Sequence, residues 1–204
     1  MFTRLHFLAL LVVAEMFLIL SLTPDKSEFI AELPIDETID SYMVSNNLDT
    51  TLTEEDFHAY GKVENIAKSI AKQYRNITPS EALRVVNTVY KEAPKHGLKP
   101  ELVLGVIATE SSFRNTALSG ANAQGYMQVI PYWHQDKIKG RDIWNTQVNI
   151  EVGTAYLAEC INKRGSYSGG LACYNGAVTP SKADEYTNSV TVNTRLMGKL
   201  LVSL

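Results

Sequence analysis

The amino-acid sequence predicts an all-α domain over residues 57–204, preceded by two segments of different character. Apolar residues recur there at three- and four-residue spacing, first at Val63, Ile66, Ala67, Ile70 and Tyr74. The segment 78–81, Thr-Pro-Ser-Glu, has the pattern of a capping box with proline at the first helical position. No stretch of comparable length alternates apolar and polar residues with the two-residue period of a β-strand.

The first element, residues 1–23, is an apolar segment. Residues 7–22 are apolar apart from Glu15 and Ser21, which is typical of a signal peptide or a membrane anchor. No small-x-small cleavage site follows the run, and residues 2–22 are just long enough to span a bilayer. These features favour an uncleaved anchor, with a cleaved signal peptide as the alternative. Both interpretations predict that the rest of the chain is exported.

The second element, residues 24–56, is an acidic segment. It carries ten acidic residues against a single basic one, Lys26. Such a composition buries too little apolar surface to offset the entropy cost of ordering the chain. We expect a flexible, solvated linker here, with an acidic interaction tail as the alternative.

The composition also limits the classes of function. A formal net charge of -3 argues against general binding to nucleic acid, because nucleic-acid-binding proteins usually carry a basic excess. The histidines are scattered at His6, His58, His96 and His134, and the two cysteines do not have a metal-ligand spacing. Neither a metal site nor a cofactor is therefore expected.

Glu110 is the candidate catalytic residue. It ends a helix that is expected to open at Pro100, and residues 102–108 before it are almost wholly apolar. Apolar surroundings disfavour the charged carboxylate and so raise the affinity of the carboxyl group for a proton. A carboxyl group that is protonated near neutral pH can act as a general acid. By itself this position is a weak signal, since a glutamate near a helix end is more often solvated or a helix cap.

The residues that follow Glu110 strengthen this signal. Six short pieces recur in a distinctive order and spacing: 110–113 (ESSF), 117–131 (ALSGANAQGYMQVIP), 149–150 (NI), Gly153, 156–157 (YL) and 172–176 (ACYNG). Together they resemble the transglycosylase SLT family, the lysozyme-like domain of soluble lytic transglycosylases and their relatives. The resemblance covers roughly residues 80–190 and implies a lysozyme-like helical fold.

Carried over residue by residue, the resemblance makes Glu110 the sole catalytic acid/base. It also implies that five residues bind the saccharide: Ser119, Met127, Gln128, Tyr174 and Asn175. Tyr174 and Asn175 would face the catalytic carboxyl group, where a tyrosine hydroxyl can orient that group or the sugar. Asn149, Gly153 and Tyr156 are expected to be structural, as a helix start, a close contact and a packing residue.

Two tryptophans lie near the groove segments without belonging to a family motif. Trp133 and Trp144 could stack on sugar faces, as aromatic rings do well, or could pack in the core. The sequence leaves both interpretations open, so neither residue is assigned to the site.

The resemblance implies that the substrate is peptidoglycan, cleaved between N-acetylmuramic acid and N-acetylglucosamine. With a single carboxyl group the reaction would be assisted by the substrate and would close a 1,6-anhydro ring. Asp136, Asp142 and Glu151 lie in no matched motif. The alternatives are a hydrolytic muramidase, in which Asp136 or Asp142 holds a water, and a non-catalytic wall-binding component of an envelope machine.

The predicted export sets the location and the partners. We expect a periplasmic protein that is held at the inner membrane through residues 2–22, or a soluble periplasmic one if the signal is cleaved. A secretion or conjugation machine that spans the envelope is a candidate partner, and general wall turnover is the alternative.

The two cysteines suit an exported protein. Cys160 lies near the end of the helix expected to begin at Asn149, and Cys173 lies in the next helix. A turn over residues 164–168 would bring two antiparallel helices to disulfide distance. A Cys160–Cys173 bridge is therefore expected.

Overall fold

The computed structural model describes residues 60–202. The predicted anchor or signal over residues 1–23, the predicted linker over residues 24–56 and the expected domain start at residue 57 lie outside the described residues. Within residues 60–202, none of the helices combines the length and the apolar character that crossing a membrane requires.

The described chain is helical, as the sequence predicts. Its α-helices are α1 (Tyr60–Gln73), α2 (Pro79–Glu92), α3 (Pro100–Ser111), α4 (Gln135–Ile138), α5 (Thr146–Arg164), α6 (Tyr167–Asn175) and α7 (Pro180–Val202). Two short 3-10 helices, Pro94–His96 and Pro131–Trp133, lie between them. No strand occurs in this part of the chain, where isolated β-bridges pair Gln124 with Leu118 and with Val129.

The beginning of α2 confirms the predicted capping box. The Thr78 hydroxyl accepts a hydrogen bond from the Glu81 backbone N–H (3.3 Å), and the Glu81 carboxylate accepts one from the Thr78 backbone N–H (3.0 Å). Pro79 occupies the first helical position, where its missing N–H costs no helical hydrogen bond. These local contacts fix where α2 starts without help from the rest of the fold.

The beginning of α5 differs from the prediction. The helix starts at Thr146 rather than at Asn149, and its cap is Asn145, whose side-chain oxygen accepts from the N–H groups of Gln147 and Val148. Asn145 has the extended backbone and the acceptor oxygen that a cap needs. Asn149 lies one turn inside the helix, fully buried, and has a different role that is described below.

Helix α3 lies at the centre of the fold. Every residue of Pro100–Ser111 except Glu110 is buried, so this helix has no solvent face. A helix that is apolar on all sides is stable only when other elements enclose it. Helices α2 and α7 both pack on α3, and α7 makes the more extensive contact.

The contact between α3 and α7 depends on Gly105. A methyl group added at Gly105 would lie 2.8 Å from the backbone nitrogen of Thr194 and 2.9 Å from its Cα. Both distances are shorter than real Cβ contacts, so only glycine allows α7 to approach α3 this closely. Because Gly105 and Thr194 are far apart in the sequence, the sequence alone does not show that glycine is required here.

A disulfide joins α5 to α6. It links Cys160 to Cys173, with their Cα atoms 5.6 Å apart, across the turn between Arg164 and Tyr167. The two helices also touch closely beside the bridge, where Gly170 lies against the backbone of Ile161. The bridge and this contact fix α6, whose last residues reach the site described below.

Removal of the disulfide should lower the free energy of unfolding. The bridge closes a loop between residues 13 positions apart, and a loop of this size is worth about 2–4 kcal/mol. We expect the Cys160→Ser/Cys173→Ser double variant to lose that amount in a denaturant titration. The reduced parent is the matched control, because it lacks the bridge without adding serine hydroxyls. Equal stability of the reduced and oxidised parent would contradict the prediction.

A Gly105→Ala substitution should destabilise the fold although it adds a better helix former. The propensity gain is about 1 kcal/mol, whereas overpacking costs about 1–3 kcal/mol, and contact with backbone atoms favours the upper part of that range. We expect a net loss of about 1–2 kcal/mol in urea unfolding.

Two controls test the cause of that loss. Gly169→Ala should cost less, because a methyl group there meets only side-chain atoms, Ser166 Oγ at 2.9 Å and Arg164 Cβ at 3.0 Å. Adding Thr194→Ala to Gly105→Ala should restore only part of the stability, since it removes the side-chain hydroxyl that the methyl group would meet but leaves the Thr194 backbone atoms in its way. Full restoration would show that the helices do not approach as described.

Candidate active site

Glu110 lies at the end of α3, where the buried core opens into a cleft of about 420 Å³. The side chain is half-buried, and the residues before and after it on the helix, Thr109 and Ser111, are buried. The cleft is lined by Glu110, Ser119, Ala121, Ala123, Gln128, Val129, Ile130, Trp133, His134, Tyr156, Tyr174, Asn175 and Gly176. Of the two glutamates of α3, Glu101 and Glu110, only Glu110 lines the cleft.

The surroundings of Glu110 raise its affinity for a proton. Burial raises the pKa of the Glu110 carboxyl group to about 7, against the opposing effect of a hydrogen bond from Tyr186. The Tyr186 hydroxyl donates that bond to Glu110 Oε1 at 2.5 Å. With a pKa of about 7, the carboxyl group exists in both protonation states near neutral pH, as a group that gives and then takes a proton requires.

Tyr186 is a residue that the sequence interpretation missed. It is buried in α7 and lies 76 positions from Glu110 in the chain. Burial and the nearby Glu110 charge raise its pKa well above the ordinary value, so the hydroxyl keeps its proton and acts as a donor. The only signal in the sequence is an apolar-face tyrosine in the last helix, which is indistinguishable from a core residue.

Helix α7 packs along α3, and two of its contacts help to position Tyr186. One is the close approach of Gly105 to Thr194. The other is a hydrogen bond in which the Asn193 side-chain amide donates to the Thr109 hydroxyl at 2.9 Å. Thr109 directly precedes Glu110, so the two helices are fastened within one residue of the carboxyl group.

The backbone beyond Glu110 turns sharply. Ser112 and Phe113 both have left-handed backbone conformations, with φ values of 48° and 59°. Each such residue other than glycine costs on the order of 1–3 kcal/mol unless the surrounding structure imposes the conformation. Phe113 is fully buried and its ring lies 4.7 Å from that of Tyr74. This packing offsets the cost and fixes the end of α3.

Asn149 fastens the loop that forms one cleft wall. Its side-chain oxygen accepts from the Met127 N–H (2.8 Å), and its amide nitrogen donates to the carbonyls of Gln124 (2.8 Å) and Ile143 (3.1 Å). The expectation that Asn149 starts a helix is therefore wrong. A buried amide with three such bonds ties the loop to α5, so its role is structural in another way.

Ser119 and Gln128, which the resemblance assigns to saccharide binding, both lie on the cleft wall. The Ser119 hydroxyl accepts from the N–H groups of Ala121 (3.2 Å) and Ala123 (3.0 Å). The Gln128 amide nitrogen donates to the carbonyls of Ala117 and Gly125, each at 3.0 Å. Both side chains thus shape the loop on which they are presented to the cleft.

Met127 is placed differently from the expectation. Its side chain is fully buried, away from the cleft lining, where it packs on Gly153 and accepts a weak hydrogen bond from the Thr154 hydroxyl at its sulfur (3.7 Å). A methyl group at Gly153 would lie 2.7 Å from Met127 Cβ and from its sulfur, which agrees with the expected close contact at that glycine. Met127 therefore supports the cleft wall from beneath.

Tyr174 and Asn175 end α6 at the cleft, but the tyrosine does not bond to the carboxyl group. The Tyr174 hydroxyl donates to the Met127 carbonyl at 2.8 Å, whereas Tyr186 supplies the bond to Glu110. Asn175 is exposed at the mouth of the cleft. The tyrosine that orients the carboxyl group thus comes from α7, and Tyr174 ties α6 to the loop.

An aromatic stack runs along the cleft. The ring of His134 lies 4.4 Å from that of Tyr156, which in turn lies 5.3 Å from Tyr174. Burial, together with the charge of Lys137, lowers the pKa of His134, which favours the neutral imidazole. Tyr156 was expected to be an ordinary packing residue, but it lines the cleft as part of this stack.

The other local carboxylates have partners outside the cleft. Asp136 pairs with Lys137, Glu151 forms two hydrogen bonds of 2.9 Å with Arg141, and Asp142 accepts from the Trp144 N–H. Glu110 is the one acidic residue among those that line the cleft in the described chain. Over the same residues, no group of three His, Cys, Asp or Glu side chains could hold a metal ion.

Several known proteins are similar in sequence to this chain. Three relatives named membrane-bound lytic murein transglycosylase C are similar to the chain. That of Actinobacillus pleuropneumoniae serotype 5b (strain L20) is 32% identical over 134 residues, covering 58% of this chain and 33% of the relative. That of Haemophilus influenzae (strain ATCC 51907 / DSM 11121 / KW20 / Rd) is 28% identical over 152 residues (69% and 40%). That of Serratia proteamaculans (strain 568) is 34% identical over 106 residues (47% and 29%).

The chain thus spans 29–40% of the length of these relatives. A solved structure, the inactive mutant of lytic transglycosylase Slt from Pseudomonas aeruginosa, is 21% identical with a TM-score of 0.49, covering 57% of this chain and 24% of that one. Residues 87–192 match the family model described as Transglycosylase SLT domain. Because this match includes just over half of the 204 residues, the chain belongs to the transglycosylase SLT domain family.

Proposed function

We propose that the protein is a peptidoglycan lytic transglycosylase that uses Glu110 as its only catalytic carboxyl group. The observation that carries the proposal is a single half-buried carboxyl group, with a pKa of about 7, in a cleft lined by no other acidic residue of the described chain. Membership of the SLT family and the names of the relatives support the choice of substrate.

In the first step Glu110 acts as a general acid. Its protonated carboxyl group gives a proton to the oxygen that bridges N-acetylmuramic acid and N-acetylglucosamine, and the bond from that oxygen to C1 of the muramic acid breaks. The acetamido oxygen of the same sugar stabilises the cationic C1, which is the substrate-assisted route. Glu110 is left as a carboxylate, and the Tyr186 hydroxyl stabilises this form through its hydrogen bond to Oε1.

In the second step Glu110 acts as a general base. It takes the proton of the C6 hydroxyl, whose oxygen attacks C1 and closes the 1,6-anhydro ring. The carboxyl group ends in the protonated state in which it began, and no water is consumed. A pKa of about 7 suits this cycle, because neither protonation state is strongly disfavoured at neutral pH.

The position of the other carboxylates favours this route over hydrolysis. A hydrolase with two carboxyl groups needs the second within about 5–9.5 Å of the first, on the cleft. Asp136 and Asp142, the candidates for a water-holding base in a muramidase, have partners outside the cleft. The structure therefore supports a mechanism in which the substrate supplies the second functional group.

The remaining cleft residues bind and position the glycan in this proposal. Ser119, Gln128 and Asn175 present polar groups to sugar hydroxyls and acetamido groups. Tyr174 and Met127 act together, since the tyrosine hydroxyl holds the Met127 carbonyl and keeps the loop beside α6. Met127 contributes to saccharide binding through this loop rather than through its buried side chain.

The same proposal includes location and partners. Export through residues 1–23 would place the enzyme in the periplasm beside its substrate, anchored through residues 2–22, with residues 24–56 as the linker. The relatives' name, membrane-bound, supports an association with the membrane. A secretion or conjugation machine that must open the wall locally is one candidate partner, and general wall turnover is the alternative.

Glu110→Gln should abolish most of the activity, because the amide keeps the shape of the side chain but cannot give or take the proton. We expect the parent to release products one water lighter than reducing sugars, measured by mass spectrometry of digested peptidoglycan. The variant should be slower by about 10²–10⁴-fold, the usual contribution of general acid–base catalysis.

Asp136→Asn and Asp142→Asn are the matched controls for this experiment. Both remove a carboxylate outside the cleft and should leave the rate and the product mass unchanged. Loss of activity in either variant, together with reducing products from the parent, would indicate a muramidase. A Glu110→Gln variant as fast as the parent would show that the proposed residue is wrong.

The rate should fall as pH rises through about 7, because the general acid loses its proton there. The Tyr186 bond favours the carboxylate and lowers the Glu110 pKa, so Tyr186→Phe should raise that pKa and move the alkaline limb of the rate profile to higher pH. Tyr174→Phe is the comparison, since its hydroxyl bonds to Met127 and not to Glu110. A shift in the opposite direction with Tyr186→Phe would refute the assigned role of the hydroxyl.

A further inference from the structure

Trp133 is an exposed aromatic residue on the wall of the cleft. Its side chain is 69% exposed, although a large apolar ring normally gains by burial. The large hydrophobic side chains that are exposed among residues 63–200 lie close to the cleft lining: Leu118 beside Ser119, Tyr132 beside Trp133, Trp133 itself, and Val178 two positions after Gly176. Of these, Trp133 is the one that itself lines the cleft, where an exposed apolar ring is a candidate binding surface.

The two neighbours of Trp133 in the chain hold it in place. It ends the 3-10 helix Pro131–Trp133, and Tyr132 makes an edge contact with it at 4.7 Å between ring centroids and 84° between planes. The next residue, His134, is buried against Tyr156. An aromatic residue whose backbone is fixed in this way loses little conformational entropy when a ligand covers its ring.

The other tryptophan, Trp144, does not line the cleft. It is half-buried and packs against the hydrophobic core, away from the cleft lining. The structure therefore separates the two roles that the sequence left open for the tryptophans. One of them packs in the core, and the other lies in the cleft with its ring available.

We infer that Trp133 is a stacking platform for a pyranose ring of the bound glycan, and so a specificity-determining residue of the proposed reaction, on which the inference rests. A pyranose has an apolar face of C–H groups, which packs well on the face of an aromatic ring. It also has a rim of polar groups, which can bond to the polar side chains of the same cleft, Ser119, Gln128 and Asn175. A protein partner would need a continuous surface outside the cleft, whereas this ring shares a concave wall with Glu110.

The chain contains two tryptophans, so a Trp144→Phe variant of the full-length chain makes Trp133 the sole tryptophan reporter. The β-1,4-linked tetramer of N-acetylglucosamine is the probe. Titration should give a saturable blue shift of tryptophan emission and protection from acrylamide quenching, because the sugar covers the ring. An unchanged emission at saturating tetramer, with binding seen by calorimetry, would overturn the inference.

Substitution of Trp133 itself gives the second test. Trp133→Ala should weaken tetramer binding on the order of tenfold, whereas Trp133→Phe, which keeps an aromatic face, should recover most of the affinity. In peptidoglycan digestion, KM should rise for Trp133→Ala with little change in kcat, since the ring does not touch the reacting proton. Equal affinities for Trp133→Ala, Trp133→Phe and the parent would overturn the inference.

These outcomes separate the inference from the proposed function. A parent that releases anhydro products while Trp133→Ala binds and cleaves as it does would refute the stacking role alone. A parent that binds the tetramer through Trp133 but yields only reducing sugars, or none, would refute the transglycosylase mechanism and leave the platform in place. A Trp133 emission that responds to lipid vesicles and not to the tetramer would refute the sugar as the occupant.

Discussion

The structure depends on the enclosure of α3, a largely apolar helix that is buried on all sides up to Glu110. Because such a helix has no solvent face, the other helices must surround it. Glu110 is the one residue of α3 that is not buried, and it lies where the enclosure ends. The requirement that makes α3 a core helix therefore also sets the environment of the carboxyl group and its raised pKa.

The cleft is formed by segments that are far apart in the chain and are joined by specific polar contacts. Asn149 ties the loop to α5, the Tyr174 hydroxyl ties α6 to the same loop, and Asn193 ties α7 to α3. Each bond is made by a side chain of a helix, so rigid elements position the more irregular wall. A site held in this way needs little reorganisation when charge moves through it.

Local sequence patterns predicted those features of the fold that depend on residues close together in the sequence. The capping box of α2 and the helix that carries Glu110 follow from residues within one or two turns, and both are found. Tyr186 could not be predicted, because its bond to Glu110 spans 76 residues and exists only after α7 packs on α3. The burial of Met127 and the exposure of Trp133 could not be predicted either, because a loop has no periodic pattern that indicates which side chains are buried. Asn149 was mistaken for a helix start because Asn145, four residues earlier, has the same chemistry.

The left-handed turn at Ser112 and Phe113 limits the movement of the backbone that carries Glu110. Helix ends normally fray, and Glu110, the residue before the last one of α3, would otherwise move with that fraying. Here the chain leaves α3 through two successive left-handed residues, and the second is locked by its contact with Tyr74. The last turn can neither lengthen by recruiting Ser112 nor unwind without exposing Phe113. Because the end of α3 is fixed in this way, movement of the Glu110 carboxyl group depends mainly on its own side-chain torsions, and the hydrogen bond from the Tyr186 hydroxyl restricts these.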